Sequence, residues 1–410
     1  MNSKPTHQQH PLLNTDHNEV HIGGKSVSEI KHILGDTPFY AYDRAMITER
    51  VTTLRAMLPD EIKLHYAIKA NPFAPVVHHL ANLVDGFDVA SSQEMLIALQ
   101  TGMLANEISF AGPGKSDDDL LAAIIAGVVL HIESKNELAR AIDIANQQRL
   151  RANIALRINP AFELKSSGMK MAGGPKQFGI DEEQVADLLQ SLDHQTINFK
   201  GFHIFAGSQN LNNEAIIEAQ QNTFRLAATL CSLLPENPEY INIGGGLGIP
   251  YFPGEQSLPL SAIADNLSHL LEQYQAQLNG VDIVMELGRY FVAEAGVYVC
   301  QVVDVKHSRG ENYLVCDGGL HHHLANSGNF GQVLRKNYPV AVANKLQQEK
   351  DQMYQVVGPL CTPLDIVASN LQAPDTSVGD LIAVMQSGAY GYSASPHDFL
   401  SQKQCQQILL

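Results

Sequence analysis

The feature that most constrains this chain is an alternation of short β-type runs with helical stretches, repeated eight times between Lys63 and Arg289. The strand-like runs are Lys63 to Lys69, Gly86 to Ala90, Ile108 to Ala111, Val128 to Ile132, Asn153 to Ile158, Phe199 to Ala206, Tyr240 to Ile243 and Val281 to Met285. Each gap holds little beyond one helical segment, except a longer one after the fifth run. Alternation of this kind builds parallel βαβ units. Eight of them in roughly 230 residues match a closed (β/α)8 barrel. A doubly wound open sheet is the alternative, but nothing suggests a reversal of strand order.

After Tyr290 the texture changes. Gly296 to Val305, Asn312 to Asp317, Tyr354 to Val357 and Leu381 to Met385 are β-rich with few helical interruptions. They predict a second, mostly antiparallel β-domain, which the strand-like run near Phe39 can join. The expected organisation is an α/β chain with the barrel over 45–290 and the β-domain over 21–44 and 291–410. Residues 1–20, polar and histidine-rich without an apolar core, are expected to form a disordered tail. Glu163 to Gln177, with Gly168, Gly173 and Gly174, predicts a mobile loop over the barrel mouth.

A formal net charge of −16 and the absence of a basic stripe argue against nucleic-acid binding. No stretch is long and apolar enough to span a bilayer. The five cysteines are scattered, odd in number and form no CxxC, which fits free thiols in a reducing, cytoplasmic setting. His321-His322-His323 invites a metal, but consecutive strand residues face opposite ways, so the run reads as loop and no metal site is expected.

The ends of the strand-like runs carry the chemistry. Lys69 precedes Asn71-Pro72, which stops the first strand. A lysine there is ordinarily a solvated strand end. Other runs, however, end in or carry Asp88, Arg157, Ser208, Gly244 to Gly246, Glu286 and Arg289, and barrel enzymes gather their reactive groups at that rim. The triple glycine leaves backbone N–H groups free for an anion, and with Ser208 and Arg289 it makes a phosphate pocket near the seventh and eighth strands. A lysine across the mouth from a phosphate site suggests a Schiff base with pyridoxal 5'-phosphate. Glu286 would then sit by the pyridine nitrogen.

These motifs resemble those of the fold-type III pyridoxal-phosphate decarboxylases, the ornithine and diaminopimelate decarboxylase family. The resemblance rests on Tyr66-Ala67-Ile68-Lys69-Ala70-Asn71, Gly86-Phe87-Asp88-Val89-Ala90-Ser91, Gly244-Gly245-Gly246, Glu286-Leu287-Gly288-Arg289 and Gly358-Pro359-Leu360-Cys361, in the family's order. It runs from Thr37-Pro38-Phe39 to Ser387-Gly388-Ala389-Tyr390. It implies that Lys69 carries the cofactor, while Ser208, the glycine loop and Arg289 hold its phosphate, with Gly288 also at the cofactor and Tyr390 nearby. It further implies that Glu286 pairs with the pyridine nitrogen and that Asp88 and Arg157 line the cofactor site. Cys361 would come from the partner subunit as the acid, making a head-to-tail homodimer with shared active sites.

Three departures bear on the substrate. Phe205 stands where the family's ring-stacking histidine falls, with His203 two residues earlier on the same strand face. Thr362 follows Cys361 where enzymes that grip a distal ammonium have an acidic residue, with Asp365 three residues on as a candidate substrate contact. Ala325-Asn326 stands where diaminopimelate decarboxylases carry an Arg-Pro pair. Phe205 to Gln209 and Cys361 to Asp365 resemble the subgroup acting on carrier-protein-bound glutamate. The expectation is decarboxylation of an amino acid whose far end is conjugated, carrier-protein-bound or citrate-linked. The alternatives are a diaminopimelate or basic amino-acid decarboxylase, an alanine-racemase-like enzyme, and a non-catalytic homologue that binds a protein partner.

Overall fold

Eight parallel strands close on themselves: β1 (Ile62–Ala67), β2 (Gly86–Val89), β3 (Ile108–Phe110), β4 (Val129–Ile132), β5 (Ala152–Asn159), β6 (Ile197–Ile204), β7 (Tyr240–Gly245) and β8 (Asp282–Leu287). Each pairs with the next, β8 pairs with β1, and β4 with β5, so no edge is left free. The computed structural model describes residues 5–165, 168–330, 332 and 335–410. The barrel lies in a unit made of Glu49–Ile249 and Ser257–Tyr290. The other unit holds Met1–Thr48, Pro250–Gln256 and Phe291–Leu410, so residues 250–256 leave the barrel unit although the sequence does not mark a break there.

Local sequence explains the rim turns. Ser91, Ser116 and Ser134 each accept a bond from the third helical N–H, which starts the helices Ser92–Gln100, Asp117–Ala126 and Lys135–Gln148. β1 stops at Ala67, and Ile68–Ala70 forms a 3-10 turn, so Lys69 stands just beyond the strand. Asn71 closes this turn by accepting from Phe73 N at 3.1 Å through its side chain and from Tyr66 OH at 3.0 Å through its carbonyl.

In the other unit, Gly296–Ser308 is the central strand, antiparallel to Phe39–Tyr42, Leu381–Val384 and Glu311–Cys316. Two pairings are parallel: Glu311–Cys316 with Gln352–Val357, and the C-terminal strand Gln406–Leu409 with Phe39–Tyr42. The expected tail is corrected for its second half. His10 is buried and its Nε2 lies 3.1 Å from Glu294 O, and Val20 packs into the core with Ile22, Phe39 and Val299. Residues 166 and 167 of the expected 163–177 loop lie outside the described residues. The part described is strapped to the rim: Met169–Lys170 pairs with Gly207–Ser208, and Met171 N donates to Ala206 O at 3.2 Å. No helix among the described residues is long and apolar enough to cross a membrane.

The histidine triplet is a buried turn leading into the helix Leu324–Ser327. His322 Nε2 lies 2.7 Å from Lys403 O, and His323 Nε2 lies 2.9 Å from Ser387 Oγ. Burial pushes all three imidazoles down, His321 to about 4 and His322 and His323 to about 3. Each is therefore neutral when folded and takes up a proton on unfolding below its ordinary value of about 6.5. Their contribution to stability is complete above pH ~6.5 and is lost as pH falls toward 4 and then 3. Urea melts across this window should steepen in pH dependence relative to a His323→Gln variant; equal slopes would contradict the assignment.

Candidate active site

The inward positions of a closed barrel are ordinarily apolar. Here His65, Asp88, Ser109, His131, Arg157, His203, Asn242 and Glu286 are all buried polar residues on barrel strands. Groups of this kind need partners to remain inside, and those partners define the site.

Lys69 and Glu286 are its centre. Lys69 Nζ lies 3.3 Å from Glu286 Oε1; the lysine side chain is 42% exposed and the carboxylate 4%. The amine is thus open at the mouth while its counter-charge is sunk in the wall. His203 Nε2 lies 3.2 Å from the other oxygen, Glu286 Oε2. Burial alone would push Glu286 up. The Lys69 ammonium, the His203 bond and the Arg157 guanidinium outweigh it and hold the carboxyl well below the usual carboxylate range. Phe205 presents its ring 5.6 Å from Lys69 Nζ. His203 stands inside the barrel one layer below Phe205, its ring edge-on to the Phe205 ring at a centroid distance of 6.1 Å.

The glycine loop sits next to this pair. Gly244 and Gly246 have φ of 69° and 86°, and a Cβ at Gly245 or Gly246 would strike the Glu286 or the Gly207 carbonyl. The expectation that all three glycines offer N–H groups to an anion is corrected at Gly244. Its N–H donates to Asn242 Oδ1 at 2.8 Å, so Gly244 shapes the loop. Gly288 lets the chain after β8 lie against the lysine turn, since a Cβ there would meet Ala70 Cβ at 2.9 Å. Arg289 opens the short helix Arg289–Val292. Ser208 is held by the backbone pairing to Met169.

Asp88 is buried in the barrel. It accepts from Ser109 Oγ and, at 3.4 Å, from Asn242 Nδ2, and its other oxygen lies 3.5 Å from His65 Nδ1. Arg157 is held by Glu133, whose Oε1 accepts from Arg157 Nη1 at 2.9 Å and from Gly112 N at 2.5 Å. Glu133 Oε2 accepts from Gly179 N at 3.1 Å, so this carboxylate ties three rim segments together. Burial would raise Glu133, but Arg157 and Lys115 outweigh it and keep it low.

Sequence reasoning missed Glu133, His131, Asn242 and Glu94 as site components. Glu94 is raised by burial, against the Ala90 N–H and the charge of Lys69. For His131 and Asn242 the available signal was polarity inside parallel strands that otherwise read as continuous apolar runs.

Cys361, Thr362, Asp365 and Tyr390 belong to the other unit. Cys361 is exposed, and Tyr390 is half-buried with φ of 55°. Asp365 as a substrate contact is corrected. It is buried and accepts from Leu320 N at 2.6 Å and Leu360 N at 2.8 Å, so both oxygens fasten backbone loops.

An open amine over an ionised buried carboxylate, beside an aromatic ring and a glycine cradle that any Cβ would fill, fits pyridoxal 5'-phosphate. Lys69 would hold its aldehyde carbon, the glycine loop its phosphate and Glu286 its ring nitrogen. Glu133→Gln leaves Arg157 buried without its anion, and urea unfolding should show a loss of about 3 kcal/mol. Adding Arg157→Met should recover part of it; an unchanged midpoint in the single variant would contradict the assignment.

The comparisons with known proteins agree with this chemistry. A family model described as "Pyridoxal-dependent decarboxylase, pyridoxal binding domain" matches residues 44–293. The chain is 36% identical over 386 residues to the L-glutamyl-(BtrI acyl-carrier protein) decarboxylase of Niallia circulans, covering 91% of this chain and 89% of that one. It is 31% identical over 383 residues to the 2-((L-alanin-3-ylcarbamoyl)methyl)-2-hydroxybutanedioate decarboxylase of Staphylococcus aureus, covering 90% and 93%. Among solved structures, diaminopimelate decarboxylase from Helicobacter pylori complexed with L-lysine superposes with a TM-score of 0.82 at 27% identity, covering 93% and 94%. With a family model spanning more than half its length and relatives matched almost end to end, this chain belongs to the pyridoxal-dependent decarboxylases, and its cofactor is pyridoxal 5'-phosphate.

Proposed function

We propose that this enzyme decarboxylates an amino acid whose distal end is conjugated, either to a carrier protein or to a hydroxy-carboxylate such as citrate. The observation that carries this is the loop after the proposed acid. Thr362 follows Cys361, and Asp365 has both oxygens engaged by backbone N–H groups. No carboxylate of that loop is left to select a free distal ammonium. The relatives support the same substrate class: one name specifies a glutamyl group on an acyl-carrier protein, the other an alaninyl group joined through an amide to a hydroxybutanedioate.

The cofactor, when bound, supplies the sink for the electron pair left as the bond from Cα to the carboxylate breaks and carbon dioxide leaves. Lys69 would hold it, and the Gly245–Gly246 donors, Ser208 and Arg289 would anchor its phosphate. Phe205 would face its ring and Glu286 its ring nitrogen, with Asp88 and Arg157 bracing these groups. Cys361 of the partner subunit then delivers the proton that takes the place of carbon dioxide on carbon. The active form is accordingly a homodimer with shared sites, and its free thiols suit the cytoplasm.

The test is mass spectrometry of holo-protein incubated with conjugated and free amino acids. Carbon dioxide loss from an aminoacyl carrier protein or a citrate-linked amino acid, with little from free ornithine or meso-diaminopimelate, is expected; rapid turnover of either free amino acid refutes the conjugate assignment. Cys361→Ala should lower kcat by about 10²-fold or more while leaving cofactor binding intact.

A further inference from the structure

Beneath the Lys69–Glu286 pair the barrel does not turn apolar. His203 on β6 is 2% exposed, and its ring packs against that of His131 on β4 at a centroid distance of 4.5 Å. His131 Nε2 in turn lies 2.7 Å from the Tyr240 hydroxyl on β7. A column of Glu286, His203, His131 and Tyr240 thus runs down the inside of the barrel, drawing on four strands. We propose that His203 is a positioning residue for the reaction: it fixes the orientation and charge of Glu286, and His131 and Tyr240 brace its ring. This rests on the reading above in which Glu286 serves the cofactor ring.

The geometry leaves His203 little choice. Lys69 Nζ lies 3.3 Å from Glu286 Oε1, and His203 Nε2 is the group shown within charge-pair range of Oε2, at 3.2 Å. A ring nitrogen that bonds a carboxylate must carry the proton, so Glu286 selects which nitrogen of His203 is protonated. The charged groups around Glu286 are Lys69 beyond β1 and Arg157 on β5, with the titratable ring of His203 beside them. Around His131 they are Arg157, Lys115 and Glu286, and burial, reinforced by the two cations against Glu286, pushes the His131 imidazole well down. His131 therefore acts as an uncharged wall behind His203. Phe205 lies two residues further along the same face, with its ring at 70° to that of His203. One strand thereby presents a ring at the mouth and, one layer deeper, the donor that steadies the carboxylate.

His203→Leu removes the donor at similar volume, whereas His203→Gln keeps an N–H that can reach the same oxygen. In holo-protein, His203→Leu should lower kcat by about tenfold or more, with KM within about threefold. It should also move the titration of the cofactor's visible band to lower pH, because the cation facing Glu286 loses part of its anion. His203→Gln should restore most of both. If both variants lose thermal stability alike while the titration stays put, the role is structural only and the proposal falls. Should the leucine variant not fold, 15N NMR of histidine-labelled wild-type holo-protein decides: Nε2 of His203 protonated supports the proposal, a bare Nε2 overturns it. An unmoved titration in a wild-type-like decarboxylase sinks this inference alone, whereas a wild-type protein with no cofactor band sinks the functional reading beneath it.

Discussion

An ionised carboxylate inside a closed barrel is costly unless its surroundings hold it, and the arrangement of this mouth follows from how Glu286 is held. Lys69 and His203 each take one oxygen, and Arg157 adds positive potential from the neighbouring wall. Arg157 is itself a buried charge and needs Glu133, which in turn gathers the Gly112 and Gly179 N–H groups. Lys115 lies in the same region, paired with Glu137 at 2.7 Å. Loss of any member leaves a neighbour desolvated and uncompensated, so the charges stand or fall together.

The glycines give this network its geometry. Gly245 lets β7 lie against the Glu286 backbone, and Gly288 lets the segment after β8 lie against the lysine turn. Asn242 reaches from inside the barrel to the Gly244 N–H and, on its other side, toward Asp88. The anion cradle is thereby wired to the same polar interior as the carboxylate. Fold and chemistry are joined through backbone positions that tolerate no Cβ, as well as through the side chains of the catalytic motifs.

Much of this was legible in the sequence because its signals are local. Strand–helix alternation announces a parallel barrel, and Lys69, Ser208, Gly245 and Glu286 fall where each strand stops. The β-unit's central run, Gly296 to Val305, is equally plain. What escaped depended on partners distant in the chain. Gln406–Leu409 is four residues long, half of them glutamine, and becomes a strand only because Phe39–Tyr42 is there to pair with it. His10 and Val20 sit in a polar stretch whose burial is set by Glu294 and a remote core. Asp365, in a proline-flanked loop beside a cysteine, resembles a substrate contact until its carboxylate is seen fastening Leu320 and Leu360. His203 was legible as an inward residue of β6, but its depth below Phe205 was not.

The two relatives compared above are decarboxylases whose names specify conjugated amino acids. The central claim is narrower: the amine that meets Glu286 is the one that carries the cofactor. Borohydride reduction of the holo-protein followed by peptide mass spectrometry tests it directly. A pyridoxyl group on the peptide bearing Lys69, and on no other lysine, is the predicted result; the label on a different lysine, or on none, would contradict the account.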